Sequence, residues 1–146
     1  MNSTIEDQDG NNALANFATN ASAGSFILEG DRNFTTSGAF NNAGKLTISS
    51  GSTFTVGGTN SYAQTAGTTT VKGTLSVASQ GGVNVSGGSV LATGTITTAS
   101  YMQTAGATTV SGTITTGSCM QLRSEIKGVY DPRRYMHRQP VIEPRR

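Results

Sequence analysis

The sequence predicts an all-β fold: a right-handed, single-stranded parallel β-helix (solenoid) of about five coils, with an irregular N-terminal segment and a C-terminal tail. Three observations predict it. A glycine-led segment recurs at uneven intervals of roughly 20 residues. Apolar and polar residues alternate within each copy, as they do in strands. Thr, Val, Ile, Gly, Ser and Asn dominate the copies, which is a composition of strands and turns.

The recurring segment is clearest at 67–77, which reads Gly-Thr-Thr-Thr-Val-Lys-Gly-Thr-Leu-Ser-Val. Other copies begin at Gly24, Gly44, Gly88 and Gly106. In every copy an apolar residue or Ala follows four positions after the leading glycine, and Gly or Ser follows six positions after it. One coil cannot bury its apolar side alone, so we expect the copies to stack as the coils of a solenoid.

The copies predict rows of apolar side chains inside this solenoid. Val71 is expected over Ile48 and under Ala92, and Leu75 is expected under Ile96. The inner side of the second copy is predicted to hold Leu46, Ile48, Ser50, Ser52, Phe54 and Val56. An antiparallel hairpin array or a sandwich is the alternative, but its strands would recur about every 8–12 residues. The longer period of this chain favours the solenoid.

A second echo spans two coils. Tyr62-Ala-Gln-Thr-Ala-Gly returns further along the chain as Tyr101-Met-Gln-Thr-Ala-Gly. The distance between the two copies is about twice the interval of the glycine-led segment. Tyr62 and Tyr101 are therefore expected in one column, two coils apart. We also count both among the exposed groups available for contact with a partner.

The chain divides into three segments. Residues 1–22 are a polar N-terminal segment or cap, in which Leu14 and Phe17 are predicted to cover the first repeat. Residues 23–117 hold the repeats. Residues 118–146 form a basic tail, predicted to be disordered or to contain a short helix over 120–127.

The repeats contain few residues that could serve in catalysis or bind a metal ion. No Asp or Glu lies between Arg32 and Ser124, and His137 in the tail is the single histidine. Glycoside hydrolysis uses a pair of carboxylates, and Ca²⁺ sites need carboxylate oxygens. We therefore predict that the chain is not an enzyme and binds no metal or cofactor.

Nucleic acid and the membrane interior are not expected as partners. The tail carries seven Lys and Arg residues against three acidic ones, but such a tail is more often solvated than bound to phosphates. No window holds the roughly 18 apolar residues of a membrane helix. The N-terminus has neither a basic start nor an apolar core, so we expect no signal peptide in this chain.

Outward threonines are predicted to form columns. Alignment on the leading glycine gives one column of Gly51, Thr74, Thr95 and Thr113, and another of Thr53, Ser76, Thr97 and Thr115. The candidate surface ladder consists of the threonines in these columns, which are Thr53, Thr74, Thr95, Thr97, Thr113 and Thr115.

Evenly spaced Thr on a flat sheet is the feature that ice-binding solenoids use, so ice binding is an alternative function. Three features count against it: Lys72 in a neighbouring column, Leu91 beside the columns, and the uneven intervals between copies. Outward Thr also favours strand formation and keeps a sheet soluble, without any ligand.

The frame Tyr-x-Gln-Thr-Ala-Gly-x-Thr-Thr-Val-x-Gly-Thr-Leu/Ile, at 62–75 and 101–114, resembles the β-strand repeats of bacterial autotransporter passenger domains and filamentous-haemagglutinin-like surface proteins. The resemblance covers residues 23–117. It implies a secreted parallel β-helix at the cell surface or outer membrane, with an adhesive or structural role and a host glycan or protein as partner. We expect the chain to be part of a larger extracellular protein.

These observations predict a structural or adhesive segment of a secreted bacterial surface protein, without catalysis. Ice binding by a Thr-rich face is the alternative. Unpaired strand edges on the terminal coils also predict self-association through the ends of the solenoid.

Overall fold

The structure is a computed structural model that describes residues 8–10 and 13–121, and every regular element in them is a β-strand. The strands form a solenoid of about five coils with three faces. Face A contains β1 (Thr19–Asn20), β4 (Phe40–Asn42), β7 (Tyr62–Gln64) and β10 (Gly82–Val85). Face B contains β2 (Ser25–Leu28), β5 (Lys45–Ile48), β8 (Thr68–Val71), β11 (Ser89–Ala92) and β13 (Ala107–Val110).

Face C contains β3 (Asn33–Thr36), β6 (Thr53–Val56) and β9 (Thr74–Val77). Two longer strands, β12 (Thr95–Gln103) and β14 (Thr113–Gln121), begin on face C and end on face A. Each strand pairs in parallel with the equivalent strand of the coil before or after it. The predicted parallel β-helix is therefore confirmed, because a hairpin array would pair its strands in antiparallel fashion.

The coils differ in length because of their corners. The register partners along face A are Asn20, Asn42, Gln64, Val85 and Gln103, so the coils become shorter toward the C-terminal end. The corner from face C to face A is a loop at 57–61 in one coil and at 78–81 in the next. From β12 onward that loop is gone, and one strand runs through both faces.

The interior rows follow the predicted order. Val71 pairs with Ile48 below and Ala92 above, and all three are completely buried. Leu75 pairs with Ile96, which pairs with Ile114. Burial of each large aliphatic side chain contributes about 1.5–3 kcal/mol. Both predicted rows are confirmed.

The prediction for the inner side of the second copy was wrong at one residue, Ser50. Ser50 is exposed, whereas Ser52 is buried. The chain turns between them, where the Ser52 N–H donates to the Ser49 carbonyl oxygen at 3.1 Å. Period-two alternation does not continue through a turn, so the inner side resumes at Ser52.

The two-coil echo follows from how the interior is filled. Tyr62 pairs with Val83, which pairs with Tyr101, so the predicted tyrosine column is confirmed. The Tyr62 and Thr69 hydroxyls lie 2.5 Å apart, and those of Tyr101 and Thr108 lie 2.8 Å apart. The coil between these two pairs carries smaller, apolar side chains at the same positions, which are Val83, Val85 and Val90. The coil with three valines therefore lies between two coils that carry Tyr, Gln and Thr at the same positions.

Buried amides join the first three coils. The Asn20 Nδ2 donates to Asn42 Oδ1 at 2.7 Å, and the Asn42 Nδ2 donates to Gln64 Oε1 at 3.0 Å. The Asn42 Nδ2 also lies 2.9 Å from the Thr69 Oγ1. Buried polar groups are costly unless they are hydrogen-bonded, so this ladder favours one register between coils.

The two ends of the stack differ. At the N-terminal end, the ring of Phe17 lies 4.8 Å from that of Phe26 and 5.2 Å from that of Phe40, over the end of the interior. At the other end, β14 pairs with β12 and with no further strand of the described chain. Most of the predicted helix over 120–127 and of the basic tail lies outside the described residues. Met120 and Gln121 belong to β14.

Glycines at the corners let the backbones of adjacent coils approach closely. A Cβ at Gly94 would collide with the backbone carbonyl oxygens of Gly73 and Lys72 in the coil below. Gly94 lies in the corner between faces B and C, next to the Thr95 N–H, which donates to the Gly73 carbonyl oxygen at 2.9 Å. A side chain here has no flexible neighbour to displace, because both colliding groups are backbone.

We predict that Gly94→Ala lowers the free energy of unfolding by about 2 kcal/mol or more, since the coils must separate to admit the methyl group. Chemical denaturation followed by circular dichroism measures this. Gly38→Ala is the control, because nothing lies within 4 Å of a Cβ at Gly38. Equal stability of the two variants would contradict close backbone contact at this corner.

Candidate interaction surface

The outer side of face C carries two columns of hydroxyl residues in unbroken register. From β6 to β14 one column is Thr53, Thr74, Thr95 and Thr113, and the other is Thr55, Ser76, Thr97 and Thr115. On the first coil the same columns continue with the exposed Asn33 and Thr35 of β3. All six residues of the predicted ladder lie in these columns. We call the eight residues of β6, β9, β12 and β14 in these columns the threonine surface.

The predicted columns were wrong in the second copy. Thr53 pairs with Thr74, so it belongs to the first column, and Gly51 belongs to neither. Thr55, opposite Ser76, takes the place predicted for Thr53. Four residues separate β5 from β6, but two separate β8 from β9, so alignment on the leading glycine shifts the second copy by two positions.

The side chains of the threonine surface face outward without internal partners. Thr97, Thr113 and Thr115 are exposed, and the other five are half-buried. No hydrogen bond joins any of the eight side chains to another residue in the described ranges. Threonines elsewhere do make such bonds: the Thr98 Oγ1 donates to the Ser100 carbonyl oxygen at 2.9 Å. The hydroxyls of the threonine surface are therefore available to water or a ligand.

Face A presents a different chemistry. Its outward column is Asn41, Ala63, Asn84, Met102 and Met120. Met102 is 37% exposed and Met120 is 58% exposed, and the two are register partners on adjacent coils. We call Asn84, Met102 and Met120 the methionine surface.

The methionine surface was not predicted from the sequence. The separation of Met102 and Met120 along the chain equals the length of the coil between them. This spacing is the sequence feature that could have predicted the surface. It involves only one pair of methionines, whereas the threonine columns repeat over four coils.

Face B mixes apolar, hydroxyl and basic groups. Ile27 and Leu91 are 52% and 39% exposed in a column that also contains Thr47, Thr70 and Thr109. Lys45 begins β5, and Lys72 follows β8 at the corner. Lys72 and Leu91 therefore lie outside the threonine surface.

Tyr62 and Tyr101 are not surface groups, and their predicted exposure was wrong. Tyr62 is completely buried and Tyr101 is 1% exposed. Burial raises the pKa of Tyr62 far above the usual value, although the hydrogen bond with Thr69 partly opposes this. Burial raises the pKa of Tyr101 to about 12. Both phenols lie in the interior, where each forms a hydrogen bond with a buried threonine hydroxyl.

Other functional groups are few in the part of the chain that the structure describes. Residues 8–10 and 13–121 contain no group of three His, Cys, Asp or Glu side chains able to hold a metal ion. No helix in these ranges has the length and apolar character needed to cross a membrane. Cys119 is exposed and forms no disulfide, and partial burial raises the pKa of its thiol.

A scan against protein-family models found no match, and searches of curated proteins and of solved structures found none either. The functional interpretation therefore depends on the stacked coils and on the side chains of their outer faces.

We predict that the free energy of unfolding falls as the pH rises above 10, because both tyrosines hold their protons more tightly folded than unfolded. The stabilisation is complete below the unfolded pKa of about 10 and is lost as the pH approaches the folded values. Tyr101 alone should account for about 2–3 kcal/mol of this loss by pH 12. Urea denaturation at several pH values measures it.

Tyr101→Phe is the comparison for this experiment. It removes one of the two buried phenols, so the stability of the variant should depend less steeply on pH between 10 and 12. Constant stability of the parent protein across this range would contradict the burial of the phenols.

Proposed function

We propose that this chain is a structural and adhesive segment of a bacterial surface protein, which acts outside the cell and performs no catalysis. One observation carries the proposal: the interior is filled by the chain's own side chains, while exposed contact groups stand on the outer faces of a continuous stack. A solenoid of this kind holds surface residues at fixed spacing, since each coil is fixed by its neighbours.

The methionine surface is the adhesive contact in this proposal. Methionine is unbranched and adapts to irregular partner surfaces, and exposed apolar groups that lie together are typical of interaction sites. Asn84 adds an amide that both donates and accepts hydrogen bonds. The apolar pair of Met102 and Met120 favours a host protein over a glycan as the partner.

The distribution of charge supports a role without catalysis. Hydrolysis of a glycan by paired carboxylates would require two acidic residues near one another. From Asn33 to Ser124 the sequence has no Asp, Glu or His, which covers every coil after the first. The outward columns of faces A and C offer hydroxyls, amides and thioethers, which bind without supplying an acid and a base at neutral pH.

The repeats support the location at the cell surface. Their Gly- and Thr-rich frame resembles that of autotransporter passenger and filamentous-haemagglutinin-like proteins. The strands that carry this frame are stacked strands of faces A, B and C. A stack of coils also suits a spacer, because its length grows by about 4.8 Å with each coil.

We predict that the chain binds host-cell surface proteins and that the double variant Asn84→Ala/Met102→Ala binds several-fold less. These two residues are register partners within the methionine surface. Binding of labelled protein to intact and protease-treated host cells, together with a glycan array, measures this. Loss of binding after protease treatment would support a protein partner, and an array signal would identify a glycan instead.

Thr70→Ala/Leu91→Ala is the matched control on face B. It also removes one polar and one apolar side chain from register partners, and Leu91 is 39% exposed against 37% for Met102. The control should bind like the parent protein. An equal loss in both double variants, or no binding by the folded parent protein, would refute adhesion through this surface.

We also expect the chain to self-associate through the end that carries β14. Phe17 covers the interior at the opposite end, whereas Ile114 on the last described coil is half-buried. Sedimentation over a range of concentrations should show reversible association that Ile114→Lys weakens. Thr115→Lys adds the same charge on the outer side of β14 and should associate normally. A compact monomer at all concentrations would contradict this expectation.

A further inference from the structure

We propose that the threonine surface of face C binds ice, through the ordered water at the crystal surface. This function goes beyond adhesion and does not depend on it, because it uses a different face of the solenoid. The ligand is a lattice rather than a single molecule. The spacing, regularity and hydration of the eight side chains therefore decide whether it can bind.

The regularity of the surface is higher than the sequence intervals suggest. The coils differ in length, but face C keeps a one-to-one register from β6 to β14. The extra residues lie in the corners, at 49–52, 57–61 and 78–81. Uneven intervals between copies therefore do not disturb the two columns.

Charged and bulky groups are also absent from this surface. Lys72 lies at the corner before β9, and Leu91 stands on face B. The eight positions of the threonine surface hold seven threonines and Ser76, and Asn33 and Thr35, which continue the columns on the first coil, are also uncharged. A strongly hydrated charge would hold water in its own shell rather than in a lattice, so its absence matters for this ligand.

The spacing of the columns forms a two-dimensional grid. Threonines in one column are about 4.8 Å apart, the separation of paired strands. The two columns are about 6.6 Å apart, since alternate residues of a strand point to the same side. Hexagonal ice has two repeat distances on its prism faces. One is within a few tenths of an ångström of the spacing within a threonine column, and the other is within an ångström of the spacing between the two columns. The grid can therefore contact many lattice positions at once.

Threonine suits this grid for two further reasons. A β-branched side chain is stiff at χ1, so little conformational freedom is lost when the surface meets a rigid partner. Each of the seven threonines presents a methyl group beside a hydroxyl, and the hydroxyls have no partner within the described protein. The hydroxyls can join the water lattice while the methyls occupy spaces in it.

A soluble glycan fits this surface less well than ice does. Sugar-binding surfaces use aromatic faces and directional polar groups, whereas the threonine surface contains no aromatic ring, and the amide of Asn33 lies only at the end of one column. A single hydroxyl exchanges one hydrogen bond to water for another at little net gain. Only a ligand that engages all eight residues together gains from their regular spacing.

Thermal hysteresis and ice-crystal shaping measure the proposed activity directly, with the full chain as the sample. We expect the parent protein to shape ice and to show hysteresis. Thr95→Lys places a charged, mobile side chain at the centre of the grid and should abolish most of the activity. Thr70→Lys is the control, because Thr70 is also a half-buried outward threonine but lies on face B. It should retain the parent activity.

Thr97→Ala provides a milder variant should Thr95→Lys fail to fold, and it should reduce hysteresis several-fold. Circular dichroism establishes that each variant is folded. No hysteresis from the folded parent protein would overturn the proposal, and so would an equal loss in Thr95→Lys and Thr70→Lys. A glycan-array signal that depends on Thr95, without hysteresis, would assign the face to a glycan and also overturn it. None of these results affects binding through Asn84 and Met102.

Discussion

Parallel pairing of each coil with the next is the constraint on which the rest of this structure depends. The hydrogen bonds continue through the corners as well as along the strands: the Ser89 N–H donates to the Gly67 carbonyl oxygen at 2.9 Å, and the Thr95 N–H donates to that of Gly73 at 2.9 Å. Continuous pairing requires adjacent backbones to touch at the corners. At position 94 only glycine permits this contact, because a Cβ would collide with the backbone of the coil below. The same pairing places equivalent side chains of successive coils directly above one another.

A shift of one residue along a strand would turn the interior row outward, so burial alone opposes it. A shift of two residues would keep the same side of the strand inside, and rows of Val and Ile oppose that shift only weakly. The amides of Asn20, Asn42 and Gln64 oppose it strongly, since each buried donor meets its acceptor on the neighbouring coil only in the native register. Tyr62 and Tyr101 add hydrogen bonds to buried threonine hydroxyls within their own coils. The coil between them carries Val83 in the same column, and this smaller side chain leaves room for the two rings.

The interior rows could be predicted from the sequence because each copy places its apolar residue at a constant distance from the leading glycine. The outer columns could not be predicted fully, since the corner before Thr53 is two residues longer than the one before Thr74. Burial of Tyr62 was missed for a different reason. Its inner neighbours Gln64 and Thr69 are polar, so the sequence alternation that marks an inner side is absent there.

Loss of the corner between faces C and A has a consequence for the two candidate surfaces. In β12 a single strand carries Thr95 and Thr97 on face C and Met102 on face A, and β14 repeats the arrangement with Thr113, Thr115 and Met120. No loop separates the two chemistries in these coils, so their relative position is set by the strand itself. A partner bound at the methionines would therefore hold the threonine surface at a fixed angle. Two binding functions on one short solenoid are compatible for this reason: each uses its own face, and the shared strands keep both in register.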